Sequence, residues 1–325
     1  MAFNQNLPDN QILPHSLTEG LIKSAWENKR LASCYLFFGP AGTGRLSLAR
    51  SLAKATNCEA GSFPPCLACS SCRKIENNNH PDIHYIEKEG SSFIKIEQIQ
   101  LMQRQIYLRS FEGKCKVFII LNAEDLTEEA SNCLLKIIEE PPAHSLIILI
   151  AFDLRRMLPT IVSRCQKIRF FPLDRSKAES VLNRDYHLDE NLSHWLAFAL
   201  EGRLGEALKF KDSGILNEKN QIIRYFTGGS NSMANKYVSV DRDKLSWILK
   251  ILISCTRDLY LLKIGAGEAE LINRDARNEL LGLSRRYTFD DLDWILQQLC
   301  DWLYNVRQNI NPRLLVDNLR LLWKK

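Results

Sequence analysis

The segment Gly39-Pro40-Ala41-Gly42-Thr43-Gly44-Arg45-Leu46 constrains this chain more than any other stretch. A short apolar run, Tyr35–Phe38, leads into it. A helical pattern, Arg45–Thr56, follows, with Leu46, Leu48, Ala49, Leu52 and Ala53 on one side. Strand, glycine-rich loop and helix together form the context of a phosphate-binding P-loop. The glycines let backbone N–H groups curl around phosphates, and the helix N-terminus adds positive potential.

The surrounding pattern agrees. Ile83–Ile86, Val117–Leu121, Leu146–Ala151 and Lys167–Phe170 read as further strands, and Ile96–Ser110 as an amphipathic helix. Val117–Leu121 is apolar throughout, which suits an inner strand of a parallel sheet. Leu126, Ala130, Cys133, Leu134 and Ile137 fall on one face of another helix. Asp125 and Glu128 resemble its capping pair, and Pro141 and Pro142 stop it. The expectation for residues 1–172 is a doubly wound α/β domain with a parallel sheet. No strand pattern follows Pro172. Residues 173–211 read as a small helical unit, and 212–325 as an all-α domain. Apolar 3–4 spacing marks Lys244–Leu262, Leu292–Tyr304 and Asn311–Leu322 there, and residues 227–235 read as a loop.

The loop departs from the P-loop template at two places. Arg45 stands where a lysine is required, and Leu46 where a magnesium-binding hydroxyl is required. Arginine keeps the charge but is larger and planar. Leu46 cannot hold a cation, and Ser47 lies about 100° further round the helix. A magnesium-binding acid is also expected at the end of the third strand. Leu121 and Asn122 occupy that place, while Glu124 and Asp125 come later and read as helix caps. Hydrolysis at this loop is not expected. Gly39, Gly42, Gly44 and Arg45 are the residues that could still touch a nucleotide, with ATP binding weak or absent.

Cys58, Cys66, Cys69 and Cys72 place four thiols within fifteen residues. Two-residue gaps bend the backbone so that neighbouring sulfurs face one point, and zinc takes a tetrahedral set of thiolates. Four cysteines leave no open coordination position, so the reading is a structural zinc knuckle. An iron–sulfur cluster is the competing use of such spacing. Residues 57–81 look too polar and broken for core. His80-Pro81-Asp82 reads as a turn into the second strand. Cys34, Cys115, Cys133, Cys165, Cys255 and Cys300 sit mostly among apolar residues and read as small core side chains.

Net charge is +5, too mild for a dedicated nucleic-acid binder. The longest apolar runs, such as Leu146–Phe152, fall far short of the roughly 18 residues of a membrane span. The opening MAFNQNLPDN lacks the basic and apolar parts of an export signal, so a cytoplasmic location without disulfides is expected.

Taken together, these motifs resemble the bacterial clamp-loader family, the AAA+ subunits of the DNA polymerase III holoenzyme. The resemblance rests on the order of the glycine loop, the inserted cysteine knuckle and His80-Pro81-Asp82. It continues through the run from Asn132 to Pro142 (NCLLKIIEEPP), Ser163-Arg164-Cys165, and Asn311-Pro312-Arg313-Leu314-Leu315. It implies an AAA+ domain, a lid at 173–211 and a C-terminal oligomerisation collar at 212–325. Implied partners are the gamma, tau and delta subunits, with the sliding clamp and primed DNA reached through the complex, and no membrane. Arg164 would act in trans as an arginine finger on a neighbour's ATP.

Arg45, Leu121 and Asn122, with Ala151 and Phe152 at the polar sensor position and Gly205 at the lid's sensing arginine, resemble the non-hydrolysing stator form. Two other readings stay open: an active ATPase subunit of the gamma or tau type, and a zinc-containing DNA-binding repair adaptor.

Overall fold

The computed structural model describes residues 16–90, 92–211, 213–227, 241–306 and 312–323. Asn311 and all of the expected 227–235 loop except Thr227 lie outside the described residues. Contacts divide the chain into two units. The first takes residues up to Leu173 together with Arg203–Glu206; the second takes Asp174–Gly202 and everything from Ala207.

The first unit runs α1 (Ser16–Glu27), β1 (Cys34–Phe38), α2 (Arg45–Asn57), α3 (Ser70–Glu76), β2 (Ile83–Ile86) and α4 (Ile96–Ile106). It continues with β3 (Lys116–Leu121), α5 (Glu128–Glu139), β4 (Ser145–Ala151), α6 (Pro159–Arg164) and β5 (Gln166–Arg169). The five strands form one sheet in the order β2-β3-β4-β1-β5, and every pairing is parallel. Side chains alternate across the sheet. Leu36, Phe118, Ile120, Ile147 and Leu149 face one core with Ile99, Leu134, Ile137 and Ile161. Tyr35, Phe37, Ile119, Ile148 and Ile150 face the other with Leu48, Leu52, Phe63 and Ile75. The sheet is therefore covered on both faces, as the apolar strands require.

Three local expectations need correction. The helix expected to run to Ser110 ends at Ile106, and Tyr107 and Leu108 stand largely exposed beyond it. Apolar spacing continues past Ile106, but those side chains find no core. Asp125 does not cap α5: Thr127 is the N-cap, and its side chain accepts from the Ala130 N–H. Asn122 adopts a left-handed conformation, and the 3-10 turn Ala123–Asp125 that follows uses up three residues before the helix. Residues 57–81 are also more than a polar excursion. They carry α3 and bury Phe63, Cys72 and Ile75.

The second unit contains no strand among the described residues. It holds α7 (Arg175–Arg184), α8 (Glu190–Ala199), α10 (Ile215–Thr227), α11 (Arg242–Lys263), α12 (Arg277–Ser284), α13 (Phe289–Asn305) and α14 (Pro312–Leu322). The short helix α9 (Leu204–Ala207) spans the boundary of the two units. Leu245, Ile248, Leu249, Leu252, Cys255 and Leu259 of α11 are buried, so this helix is the axis of the unit. A buried Asp258 carboxylate accepts from the Ile272 and Asn273 N–H groups. Trp294 is 55% exposed, whereas Trp323 is buried. No helix among the described residues is long and apolar enough to cross a membrane.

Candidate functional site

The glycine loop lies where the carboxyl ends of β1 and β4 meet. Ligands of open α/β sheets bind outside the carboxyl ends of strands, at such crossing points. The Gly39 N–H donates to the Ala151 carbonyl at the end of β4 (3.3 Å). Gly42 and Gly44 have φ of +75° and +83°, which glycine adopts at no steric cost. The Thr43 hydroxyl donates to the Pro40 carbonyl at 2.7 Å, which tightens the turn.

Arg45 does not reach outward. Its guanidinium donates to the Ala151 carbonyl. Burial pushes its pKa down, and the nearby Glu124 carboxylate opposes that shift. Glu124 in turn accepts from the Phe152 N–H at 2.9 Å, so it belongs to this site and is not a helix cap. Asp125 pairs with Lys88 (2.8 Å) and Arg156 (2.9 Å).

The outer side of the loop is covered by the chain itself. The Gly205 N–H donates to the Gly42 carbonyl at 2.9 Å. A methyl group added at Gly42 would stand 2.7 Å from Glu206 Cγ and 2.8 Å from the Glu206 nitrogen. Gly205, expected at the position of a sensing arginine, is instead a contact residue whose missing side chain permits this approach. The glycine was legible as a residue type, but nothing along the chain hinted at the contact.

The four cysteines come together. Cys58 ends α2, and Cys69 begins α3 as its N-cap. Gly61 and Leu67 turn the intervening chain with positive φ. The four Sγ atoms all lie within 4.8 Å of one another. A tetrahedral centre with metal–sulfur bonds of about 2.3 Å separates its sulfurs by about 3.8 Å, so small movements suffice. Backbone N–H groups of Ala68 and Cys69, with a hydrogen bond to Cys58, bring the Cys66 thiol down to about 6. Burial, with hydrogen bonding to Cys69, pushes Cys72 up. One thiolate is thus already favoured at neutral pH, and the donor set suits zinc.

A hydrogen-bonded frame ties this module to the sheet. Asp82 accepts from the backbone N–H groups of Phe111 (2.7 Å), Glu112 (3.0 Å) and Gly113 (2.8 Å). Burial opposes its ionisation, but these donors outweigh burial and hold its pKa below the usual carboxylate value. The Asn57 side chain accepts from the Lys114 and Cys115 N–H groups, and Lys114 Nζ donates to the Cys58 carbonyl at 2.8 Å. His80-Pro81-Asp82 is therefore a turn, as expected, and also the anchor of the 111–113 segment.

Arg164 is the last residue of α6. Its guanidinium pairs with Glu139 at 2.7 Å and donates to the Thr160 carbonyl at 3.2 Å, and the side chain is 41% exposed. Cys165, next in sequence, is buried against Cys34.

Residues 15–174 match the family model described as DNA polymerase III, delta subunit. Residues 216–325 match the model of the C-terminal part of the same subunit. The chain is 39% identical to DNA polymerase III subunit delta-prime of Bacillus subtilis (strain 168), covering 96% of each protein. It is 26% identical to delta-prime of Buchnera aphidicola subsp. Schizaphis graminum, covering 80% of each. Against subunit tau of Escherichia coli (strain K12) it is 30% identical over 79% of this chain and 40% of tau. With that full-length agreement, and a parallel sheet carrying the glycine loop and tetracysteine module in the expected order, the chain belongs to the delta-prime family of DNA polymerase III subunits, related to gamma and tau.

Proposed function

We propose that this chain is the stator of a bacterial clamp loader and hydrolyses no ATP itself. Membership of the delta-prime family gives it a clamp-loader role in DNA replication. The observation that carries the finer reading is the inward turn of Arg45 onto the Ala151 carbonyl, with Gly205 and Glu206 packed on Gly42. A lysine that grips phosphates must point into the loop's mouth. Leu46 and Leu121 offer no oxygen to Mg²⁺, which requires oxygen ligands. The three-part division into AAA+ domain, lid and collar belongs to the same reading, as does a location in the cytoplasm.

Its partners are gamma or tau and delta subunits, through which it reaches the sliding clamp and primed DNA. The exposed Trp294, Tyr304, Leu314 and Leu321 of the C-terminal helices support a collar there, because interfaces bury such side chains. Arg164 serves the neighbour's ATP. A planar, permanently charged guanidinium stabilises charge developing on a transferred phosphoryl group. Cys58, Cys66, Cys69 and Cys72 hold one structural zinc.

An ATPase assay on the purified chain tests the central claim. The expected result is background turnover with Mg²⁺-ATP. Turnover above background that disappears in Arg45→Ala overturns it in favour of the gamma-type reading.

A further inference from the structure

Two thiols outside the tetracysteine module face each other in the core of the first unit. Cys34 Sγ and Cys165 Sγ lie 3.1 Å apart, and both side chains are about 5% exposed. Cys34 opens β1 and Cys165 immediately precedes β5; each stands one residue before the paired Tyr35 and Gln166, so the two face each other where this parallel pairing begins. Neighbouring strands run about 4.8 Å apart, within the Cα separation of 4.4–6.8 Å that a disulfide spans. Cys115 and Cys133, which pack half-buried against the two faces of this sheet, direct their Sγ atoms elsewhere, to the Lys116 carbonyl and to Gln103 Oε1.

We infer that Cys34 and Cys165 form a two-electron redox pair, a modification site that a peroxide converts to a disulfide. The order of events follows from their positions. Cys165 caps α6 and immediately precedes β5, an edge strand with a largely exposed face, so local fraying of that strand brings it to solvent first. Cys34 lies on an inner strand, and its hydrogen bond to Cys165, together with burial, pushes its pKa up. Cys165 is therefore the attacking thiol and Cys34 the resolving one.

In the first step the Cys165 thiolate attacks one peroxide oxygen. The O–O bond breaks, Cys165 becomes a sulfenic acid, and the departing hydroxide takes a proton to give water. In the second step Cys34 sulfur attacks Cys165 Sγ. The S–O bond breaks and hydroxide leaves with the proton from Cys34 as a second water. Two thiols and one hydrogen peroxide give one disulfide and two waters; the peroxide gains the two electrons the thiols lose. The new bond fastens the start of β1 to the residue after Arg164.

The test uses the full-length, zinc-loaded protein. It is exposed to hydrogen peroxide, quenched in acid, alkylated after unfolding, digested and mapped by mass spectrometry. The expected product is a linked pair of peptides carrying Cys34 and Cys165, lighter by two hydrogen atoms and separated by dithiothreitol. Cys34→Ser should remove the link and leave Cys165 as sulfenic or sulfinic acid. Should that variant fail to fold, the wild-type map decides alone. The inference is overturned if Cys34 and Cys165 stay fully alkylated under exposures that oxidise Cys300, or if Cys165 is overoxidised in the wild-type chain without any link to Cys34.

Discussion

Arg164 Nη2 stands 2.7 Å from Glu139 Oε1, joining the last residue of α6 to the last residue of α5. A carboxylate at a helix C-terminus meets the negative end of the helix dipole, so Glu139 does not serve α5. The arginine offsets it. Both side chains are more than a third exposed, and pairs of this kind contribute little to stability.

Arg164→Ala should therefore change unfolding free energy by less than about 1 kcal/mol. Zinc content and assembly with the partner subunits should stay unchanged. The ATPase of the assembled complex should lose the turnover of one interface, by about 10³-fold or more there. Arg164→Lys should restore little, because lysine lacks the planar fork. An assembled complex that keeps full ATPase and clamp loading would reduce the Glu139–Arg164 pair to a surface link.

Gly42 should tolerate no side chain. Its φ is +75°, and an added Cβ would meet the Glu206 backbone nitrogen at 2.8 Å. Gly42→Ala should cost about 1–3 kcal/mol, measured by urea unfolding. Gly61→Ala is the control, since its φ of +60° is similar but nothing stands within 4 Å of the added carbon. Equal losses in the two variants would mean that backbone conformation, and not the cover of Arg203–Glu206, sets the cost.

The zinc reading predicts a pH dependence. Cys66 has a depressed pKa of about 6, so its thiolate persists down to that pH and is lost as pH falls through it. Protons then compete with metal, because zinc binds the thiolate. Zinc release to a chromophoric chelator should accelerate below about pH 6, and Cys66→Ser should release zinc more readily at neutral pH. Freshly purified protein that contains iron, or no metal, contradicts the assignment.

Much of the first unit was legible because its signals are local. After Ser145, β4 is a continuous apolar run, and every residue of the strand is buried. The cysteine spacing likewise carries its own geometry. The misreadings came from features that only tertiary structure supplies. Phe63, Cys72 and Ile75 are buried one at a time from a segment that looks polar on average. Asn122 shifts the start of α5 through one left-handed residue. The contact of Gly205 with Gly42 and the facing of Cys34 and Cys165 join residues more than 130 positions apart, beyond the reach of any periodicity.

Asp82 offers a test of the frame behind the zinc module. Its carboxylate accepts three backbone N–H groups from Phe111, Glu112 and Gly113, and Gly113 has no room for a side chain: a Cβ there would meet Asn57 Oδ1 at 2.5 Å. Asp82→Ala removes the carboxylate acceptor of all three N–H groups, which lie on exposed Phe111 and Glu112 and half-buried Gly113, and should cost about 1–3 kcal/mol by urea unfolding. Asp82→Asn keeps one oxygen and should cost less. The folded-state pKa lies below the ordinary value of 3.8, so the folded chain binds fewer protons than the unfolded chain in that range. The stabilisation is fully present above that ordinary value and is lost as pH falls through the lower folded-state pKa. Acid unfolding of Asp82→Asn should accordingly be less steep below about pH 4 than that of the parent chain. If the two acid profiles run parallel, Asp82 is not the group that links the His80–Asp82 turn to acid stability.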